Sequence, residues 1–366
     1  MKICLVGGIF DRDPALRSKH AITPETVLLD GFQKASVDVH AVGHSSFLPT
    51  DAYDIIHVHH FGKAALKMAA SSSRARFIFT GHNGLIPTGY EKSWLRRRAF
   101  QYVVDKADMF VALSHAEARY YEAHGAAGRV RCIPNGIPAN VYEFHAKPEQ
   151  VADANRYDVL YVGQLIDWKG VNFMLEAMKQ LRTKFDVRLR MVYHNAQLEA
   201  EYKRMVHELG IADAVEFVGI LGPTELAAEY RKADMLVLPS FADCLPSVVT
   251  EAFLCGTPVV AGAVCGVPEQ VDQYGRVVPP GNSAALAEAM ASVLADRPRF
   301  RAMASEMRTY AENKYHPQAM VAGHLALYQS MLEESTEATR SRAAWLDPLV
   351  RLAIGAYWAR SKRVAG

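Results

Sequence analysis

No two of the five cysteines, at 4, 132, 244, 255 and 265, form a C-x-x-C pair. An odd set without metal-ligand spacing argues against a disulfide framework and a structural zinc site, and reads as reduced thiols in a cytosolic protein. No fixed-period repeat is visible. The first apolar run, in MKICLVGGIFDRDP, is too short for a signal peptide, and no small-residue cleavage site precedes its charges, so a first strand is expected there. Between Met235 and Val267 only Asp243 and Glu251 are charged, a length that would suit a membrane span. Prolines 239, 246 and 258 and glycines 256, 262 and 266 exclude that reading. No G-x-G-x-x-G follows the first strand, which disfavours a nicotinamide dehydrogenase. Lys and Arg total 41 against 39 Asp and Glu, so at a net charge of +2 no general attraction to nucleic acid is expected.

What is present is a soluble composition, half hydrophobic and 22% charged, in a chain of 366 residues long enough for two cores. Short apolar strands near residues 2, 37, 54, 76, 109 and 129 alternate with helical patterns at 24–34, 63–70, 92–106 and 116–124. A polar stretch at about 138–156 lacks an apolar period and reads as a connection. Alternation then restarts with DVLYVG, VRLRMVY, AVEFVG, MLVLPS, PVVAG and GRVVPP, and two further helices are expected over 298–333. Strict alternation predicts an α/β chain of two doubly wound parallel sheets facing a cleft.

The most informative stretch is Pro239 to Glu269, PSFADCLPSVVTEAFLCGTPVVAGAVCGVPE. It reads as strand end, loop, helix from Ser247 to Cys255, glycine stop and strand, which puts the loop and the helix start at the carboxyl edge of a sheet. Backbone N–H groups at Ser247 and Val248 would suit a diphosphate. Asp243 in the loop and Glu251 one turn into the helix can accept hydrogen bonds from sugar hydroxyls. Glu251 can also be read as a solvated helix residue, but it is followed directly by AFLC. A carboxylate buried there needs a ligand or a fixed partner.

This segment resembles the donor-binding signature of retaining glycosyltransferases of family 4: two acids flanking seven residues, then C-G-T-P-V-V and G-x-P-E, with Asp243 where Glu is usual. The likeness extends over about residues 1–333 and implies a GT-B fold of Rossmann-like domains. Residues 1–137 would form the acceptor side, 138–156 the connection and 157–316 the donor domain, with the helices of 317–366 crossing back to the first domain. It further implies that Glu251 binds the ribose, Asp243 the transferred sugar, and the amides of Leu245, Ser247 and Val248 the diphosphate. Lys169 of GQLIDWKG would pair with the β-phosphate, beside Gln164 where the family usually has Arg. His82, ending a strand in FTGHN, would lie by the sugar, with Asn83, Gly84, Ser114 and His115 nearby. Gly7 and Gly8 would let the first turn approach donor and acceptor, and Arg17 or Lys19 would supply the missing cation. Tyr193, His194 and Asn195 stand where the family has a glycine-rich turn, so the base is left open.

HVHH, His57 to His60, allows a metal site, because alternate strand residues share a face. No Cys, Asp or Glu cluster accompanies it in sequence, so His57 is expected to be a hydrogen-bonded core residue and no metal or other cofactor is expected. The function implied is transfer of a sugar from a nucleotide-diphosphate sugar to a hydroxyl on a glycan, glycolipid or small molecule. Two alternatives stay open: a nucleotide-sugar epimerase and a non-catalytic sugar-nucleotide-binding protein. Basic, aromatic stretches at EKSWLRRRAFQYVVDKAD and from Arg340 to Arg363 leave two placements, cytoplasmic or peripheral at the inner face of the cell membrane through anionic lipid.

Overall fold

A computed structural model describes residues 1–12, 22–82, 93–142 and 156–333. The chain divides into two compact units, Met1–Gly136 with the segment from Pro317, and Ile137–His316. Arg17, Lys19, Asn83, Gly84, Lys92 and the tail from Arg340 to Arg363 lie outside the described residues.

The first unit runs β1 (Lys2–Val6), α1 (Pro24–Lys34), β2 (Asp38–Val42), β3 (Ile55–His59), α2 (Lys63–Ala69), β4 (Arg76–Thr80), α3 (Trp94–Lys106), β5 (Met109–Ala112), α4 (His115–Tyr121) and β6 (Val130–Cys132). All its pairings are parallel, in the order β2-β1-β3-β4-β5-β6. One face packs Cys4, Val6, Ile56, Val58 and Phe77 against Leu66, Phe100, Val103 and Tyr121 from the helices. The other face buries Ile3, Leu5, Ile55, Ile78 and Val111 under Leu28 and Phe32 of α1. Helices on both faces leave the inner strands β1, β3, β4 and β5 buried along nearly their whole length, whereas the edge strands β2 and β6 are not.

The second unit runs β7 (Arg156–Val162), α5 (Val171–Leu181), β8 (Asp186–Val192), α6 (Glu199–Glu208), β9 (Val215–Gly219), α7 (Pro223–Lys232), β10 (Met235–Leu238), α8 (Ser247–Leu254), β11 (Val259–Gly262), α9 (Val267–Val271), β12 (Gly275–Val278), α10 (Ser283–Ala295), α11 (Arg297–Ala302) and α12 (Ala304–Lys314). Its parallel sheet has the order β12-β11-β10-β7-β8-β9. Helix α13 (Pro317–Glu333) returns to the first unit, where Met320, Leu327, Tyr328 and Met331 complete the α1 face of its core.

Three helices, not two, fill 297–333, because the backbone breaks at Met303 and again at Tyr315 before Pro317. Helix α9 was not expected either, and its five residues are too few to show a helical period. Among the described residues no helix is long and apolar enough to cross a membrane.

Candidate active site

Each sheet reverses its strand order once, at β1/β3 in the first unit and β7/β10 in the second. Connections leave such a point in opposite directions and open a crevice at the carboxyl ends of the strands. Among the described residues, Gln164, Lys169, Asp243, Leu245, Ser247 and Val248 lie beside the second of these places and Gly7, Gly8, His59 and His60 beside the first, whereas His82 follows β4 and Ser114 and His115 follow β5.

In the second unit, the turn after β7 carries Gln164 and Lys169, and the loop after β10 carries Asp243 and Leu245. Lys169 donates to both Asp243 oxygens at 2.8 Å, with the two side chains 11% and 14% exposed. Its ammonium also lies 4.5 Å from the Trp168 ring centroid. Two contacts hold this geometry. Phe241 N–H donates to Trp168 O at 2.9 Å, which ties the turns together. Gly170 has φ +66°, and a Cβ there would sit 2.3 Å from Pro239 O, so only glycine permits so close an approach. Gln164 is half-buried, with Nε2 3.2 Å from His194 Nε2. His194 and Asn195 therefore replace a glycine-rich turn with side chains at the same edge, where Asn195 O accepts from Leu165 N–H.

Helix α8 begins at this edge, with Pro246 as a cap that makes no side-chain hydrogen bond, and with Ser247 and Val248 half-buried. The first N–H groups of any helix lack partners within it. Leu245, in the loop just before the helix, is 7% exposed. Gln270 of α9 steadies the helix start by donating to Pro246 O at 3.1 Å and Thr250 Oγ1 at 2.9 Å.

Glu251 is 6% exposed, so it is not a solvated helix residue. Its fixed partners are Tyr230, whose hydroxyl donates at 2.8 Å, and Tyr142. Burial pushes the carboxyl up to about 6, and the two phenol hydrogen bonds only partly oppose this. Burial first, and the Glu251 charge second, drive both phenols far above their ordinary range, so they stay protonated donors. Neither tyrosine was singled out in the sequence. Both lie far from Glu251 along the chain, and Tyr142 falls in the stretch read as a connection.

In the first unit, Gly7 and Gly8 follow β1, His59 ends β3 with His60 just after it, and His82 follows β4. A Cβ on Gly7 would meet the Phe10 ring at 3.3 Å and Glu25 Cγ at 3.5 Å, and one on Gly8 would face His44 Nδ1 at 3.6 Å. His59 Nδ1 lies 2.7 Å from His82 Nε2, and His60 Nε2 lies 2.9 Å from Glu25 Oε1. His60 and His82 both adopt φ near +60° (66° and 58°), a strained region for residues with a Cβ. His59 Nε2 and His60 Nδ1 are buried without a partner, as polar atoms at ligand sites often are. Burial holds His59 well below its ordinary range and His82 at about 3, so both are neutral imidazoles at neutral pH. Burial is the largest single influence on Glu25 and would raise it, but the His60 hydrogen bond and the neighbouring imidazoles acting together hold the carboxyl well below its ordinary value.

His57 is a core residue, bonded to Tyr328 Oη at 2.6 Å and Thr80 Oγ1 at 2.7 Å. The expectation that no acid accompanies HVHH is corrected, because α1 brings in Glu25. Ligand atoms of Glu25, His59 and His82 lie within 4.8 Å of one another, a spacing a divalent cation could use, with His59 already paired to His82 and Glu25 to His60. Glu25 was not singled out in the sequence, because it stands on a helix 35 residues before His60, the histidine it meets. Ser114 has a structural role as the cap of α4, accepting from Glu117 N–H at 3.1 Å.

A family model described as Glycosyl transferases group 1 matches residues 144–314, and one described as Glycosyltransferase Family 4 matches 39–141. Among curated relatives, a D-inositol 3-phosphate glycosyltransferase of Segniliparus rotundus is 31% identical over 242 residues, covering 63% of this chain and 54% of that protein. A GDP-mannose-dependent alpha-(1-6)-phosphatidylinositol monomannoside mannosyltransferase of Mycobacterium tuberculosis is 25% identical, covering 72% of this chain and 73% of that protein. The match thus spans little more than half the length of the Segniliparus relative. Of solved structures, sucrose-phosphate synthase from Thermosynechococcus elongatus superposes with a TM-score of 0.76 at 21% identity, covering 92% of this chain and all of that one. Anabaena HepE in complex with UDP-glucose gives 0.69 at 22% identity, covering 91% and all of that chain. Sheet order, family matches and structural likeness agree: this chain is a GT-B protein and belongs to glycosyltransferase family 4.

Proposed function

We propose that the protein is a retaining glycosyltransferase that moves a hexose from a nucleotide-diphosphate sugar to a hydroxyl acceptor. The observation that carries this reading is the buried Lys169–Asp243 pair beside the start of α8, with Glu251 behind it. A diphosphate at this edge would meet the N–H groups of Ser247 and Val248 and draw the Lys169 ammonium from Asp243. Asp243 would then be released to accept from sugar hydroxyls, and Glu251 would accept from the ribose. As the bond from the anomeric carbon to phosphate breaks, Lys169 and the helix start stabilise the departing charge. The acceptor oxygen bonds to the same face of that carbon, and its proton passes to the leaving phosphate oxygen. Neutral His82 and the unpartnered nitrogens of His59 and His60 suit hydroxyl groups of sugar or acceptor.

The acceptor class is a glycan, glycolipid or small molecule. The names of the two relatives specify an inositol phosphate and a phosphatidylinositol monomannoside, and a related polyol phosphate fits the same reading. Incubation with labelled nucleotide sugars, scored for free nucleotide and product anomer, tests it. Transfer or slow hydrolysis with retained configuration is expected. An isomerised sugar without nucleotide release would indicate an epimerase, and binding alone a non-catalytic protein. The reaction is further proposed to need no metal, and full turnover in EDTA is expected. Loss that zinc or manganese restores would instead assign Glu25, His59 and His82 to an ion.

A further inference from the structure

Cys244 and Cys265 lie on neighbouring loops of the second unit, after β10 and β11. Gly266 N–H donates to Cys244 O at 3.1 Å, so the backbone itself holds the two loops side by side. The sulfurs are 3.2 Å apart, closer than unbonded sulfurs usually rest. Cys244 is 1% exposed, whereas Cys265 is only half-buried and can be reached from solvent. Cys265 also has φ +43°, in the left-handed region that favours glycine, so a side chain is present where the backbone disfavours one. The other cysteines differ. Cys4 is buried in the β1 core with its thiol pushed up to about 12, Cys132 ends β6, and Cys255 caps the far end of α8.

We propose that Cys244 and Cys265 are a dithiol–disulfide site, oxidised by small disulfides. The Cys265 thiolate attacks the small disulfide, breaking its S–S bond and forming a mixed disulfide, and the expelled thiolate takes up the Cys265 proton. The Cys244 thiolate then attacks the Cys265 sulfur and expels the second small thiol, which takes up the Cys244 proton. Two protein thiols are oxidised and one small disulfide is reduced to two thiols. The sulfurs need to close by only roughly 1 Å to reach a bond length of about 2 Å, which side-chain rotation supplies without moving the backbone-bonded loops. Cys244 directly follows Asp243, so the bond anchors the loop that carries it. Lys169 and Asp243 must separate to admit a diphosphate, and anchoring therefore weakens donor binding. This last consequence rests on the proposed function, whereas formation of the bond does not.

The reduced full chain is incubated with oxidised glutathione, alkylated, and mapped by peptide mass spectrometry. The expected result is a Cys244–Cys265 link that dithiothreitol reverses, with Cys4, Cys132 and Cys255 still alkylated. A stable glutathione adduct on Cys265, a link between other cysteines, or five alkylated thiols would overturn the proposal. Wild-type protein carries this readout, so the folding of variants does not decide it. Titration of oxidised and reduced protein with nucleoside diphosphate then reads the consequence. A several-fold weaker oxidised form is expected for wild type, and no difference for Cys265→Ser. Equal affinities alongside a mapped link would overturn the anchoring and leave the disulfide site standing.

Discussion

Glu251 makes the stability of this chain depend on pH. Its carboxyl titrates near 6 in the folded chain against about 4.5 ordinarily, so the folded state holds extra proton between those values. Folding stability therefore declines as pH rises through that window and is fully retained only below it. The charged form costs about 2 kcal/mol at neutral pH. Glu251→Gln is predicted to stabilise the chain at pH 7 by up to that order, to show little difference below pH 4.5, and to lose most donor affinity. Urea unfolding midpoints at the two pH values check the first part, and a variant destabilised equally at both would show that the tyrosine bonds, not the charge, dominate. Position in the sequence made Glu251 suspect, since an acid runs directly into AFLC. Nothing along the chain pointed to Tyr230 or Tyr142, because a hydrogen bond between distant segments leaves no spacing to read.

At the scale of elements, the crossing of α1 and α13 is the sharpest test of packing. A Cβ on Gly31 would stand 2.2 Å from Val321 Cγ2, so Gly31→Ala is predicted to lose about 1–3 kcal/mol through overpacking, although alanine favours a helix by nearly 1 kcal/mol. Thermal unfolding measures this, and an unchanged or raised midpoint would mean the helices do not cross there. The strands were legible because burial on both faces leaves uninterrupted runs such as IIHVH and MLVL. His57 and His59 within such a run could be read as core or as ligands, and for His57 it was Tyr328, arriving from α13, together with Thr80 of β4 that decided. The short helices α9 and α11 were not legible, since five or six residues complete too little of a helical turn to impose a period.

For the whole molecule, a net charge of +2 conceals local bias. Helix α3 carries Arg96, Arg97 and Arg98, its Trp94 is 56% exposed, and a cavity of about 660 Å³ beside it is lined by Trp94, Arg97, Arg98, Phe100, Gln101, Tyr120 and His124. Peripheral contact with anionic lipid is proposed for this face. Sedimentation with anionic vesicles, weakened by salt and absent with neutral ones, is the expected outcome, and equal pelleting with both would oppose it. The acids of the second unit were legible in the sequence, because charge, proline and glycine there interrupt an apolar frame, whereas the switch points were not, since strand order leaves no mark along the chain. The pairing of Lys169 with Asp243 was not legible, since it joins turns 74 residues apart. That pair is the centre of the functional account. The most direct test is the equilibrium affinity of Lys169→Ala for UDP and GDP beside the wild type. Loss of one charge-assisted contact predicts binding weaker by about 1.5–3 kcal/mol, roughly ten- to a hundredfold, for whichever nucleotide the wild type prefers. Unchanged affinity in the folded variant would contradict the assignment of this edge to a diphosphate.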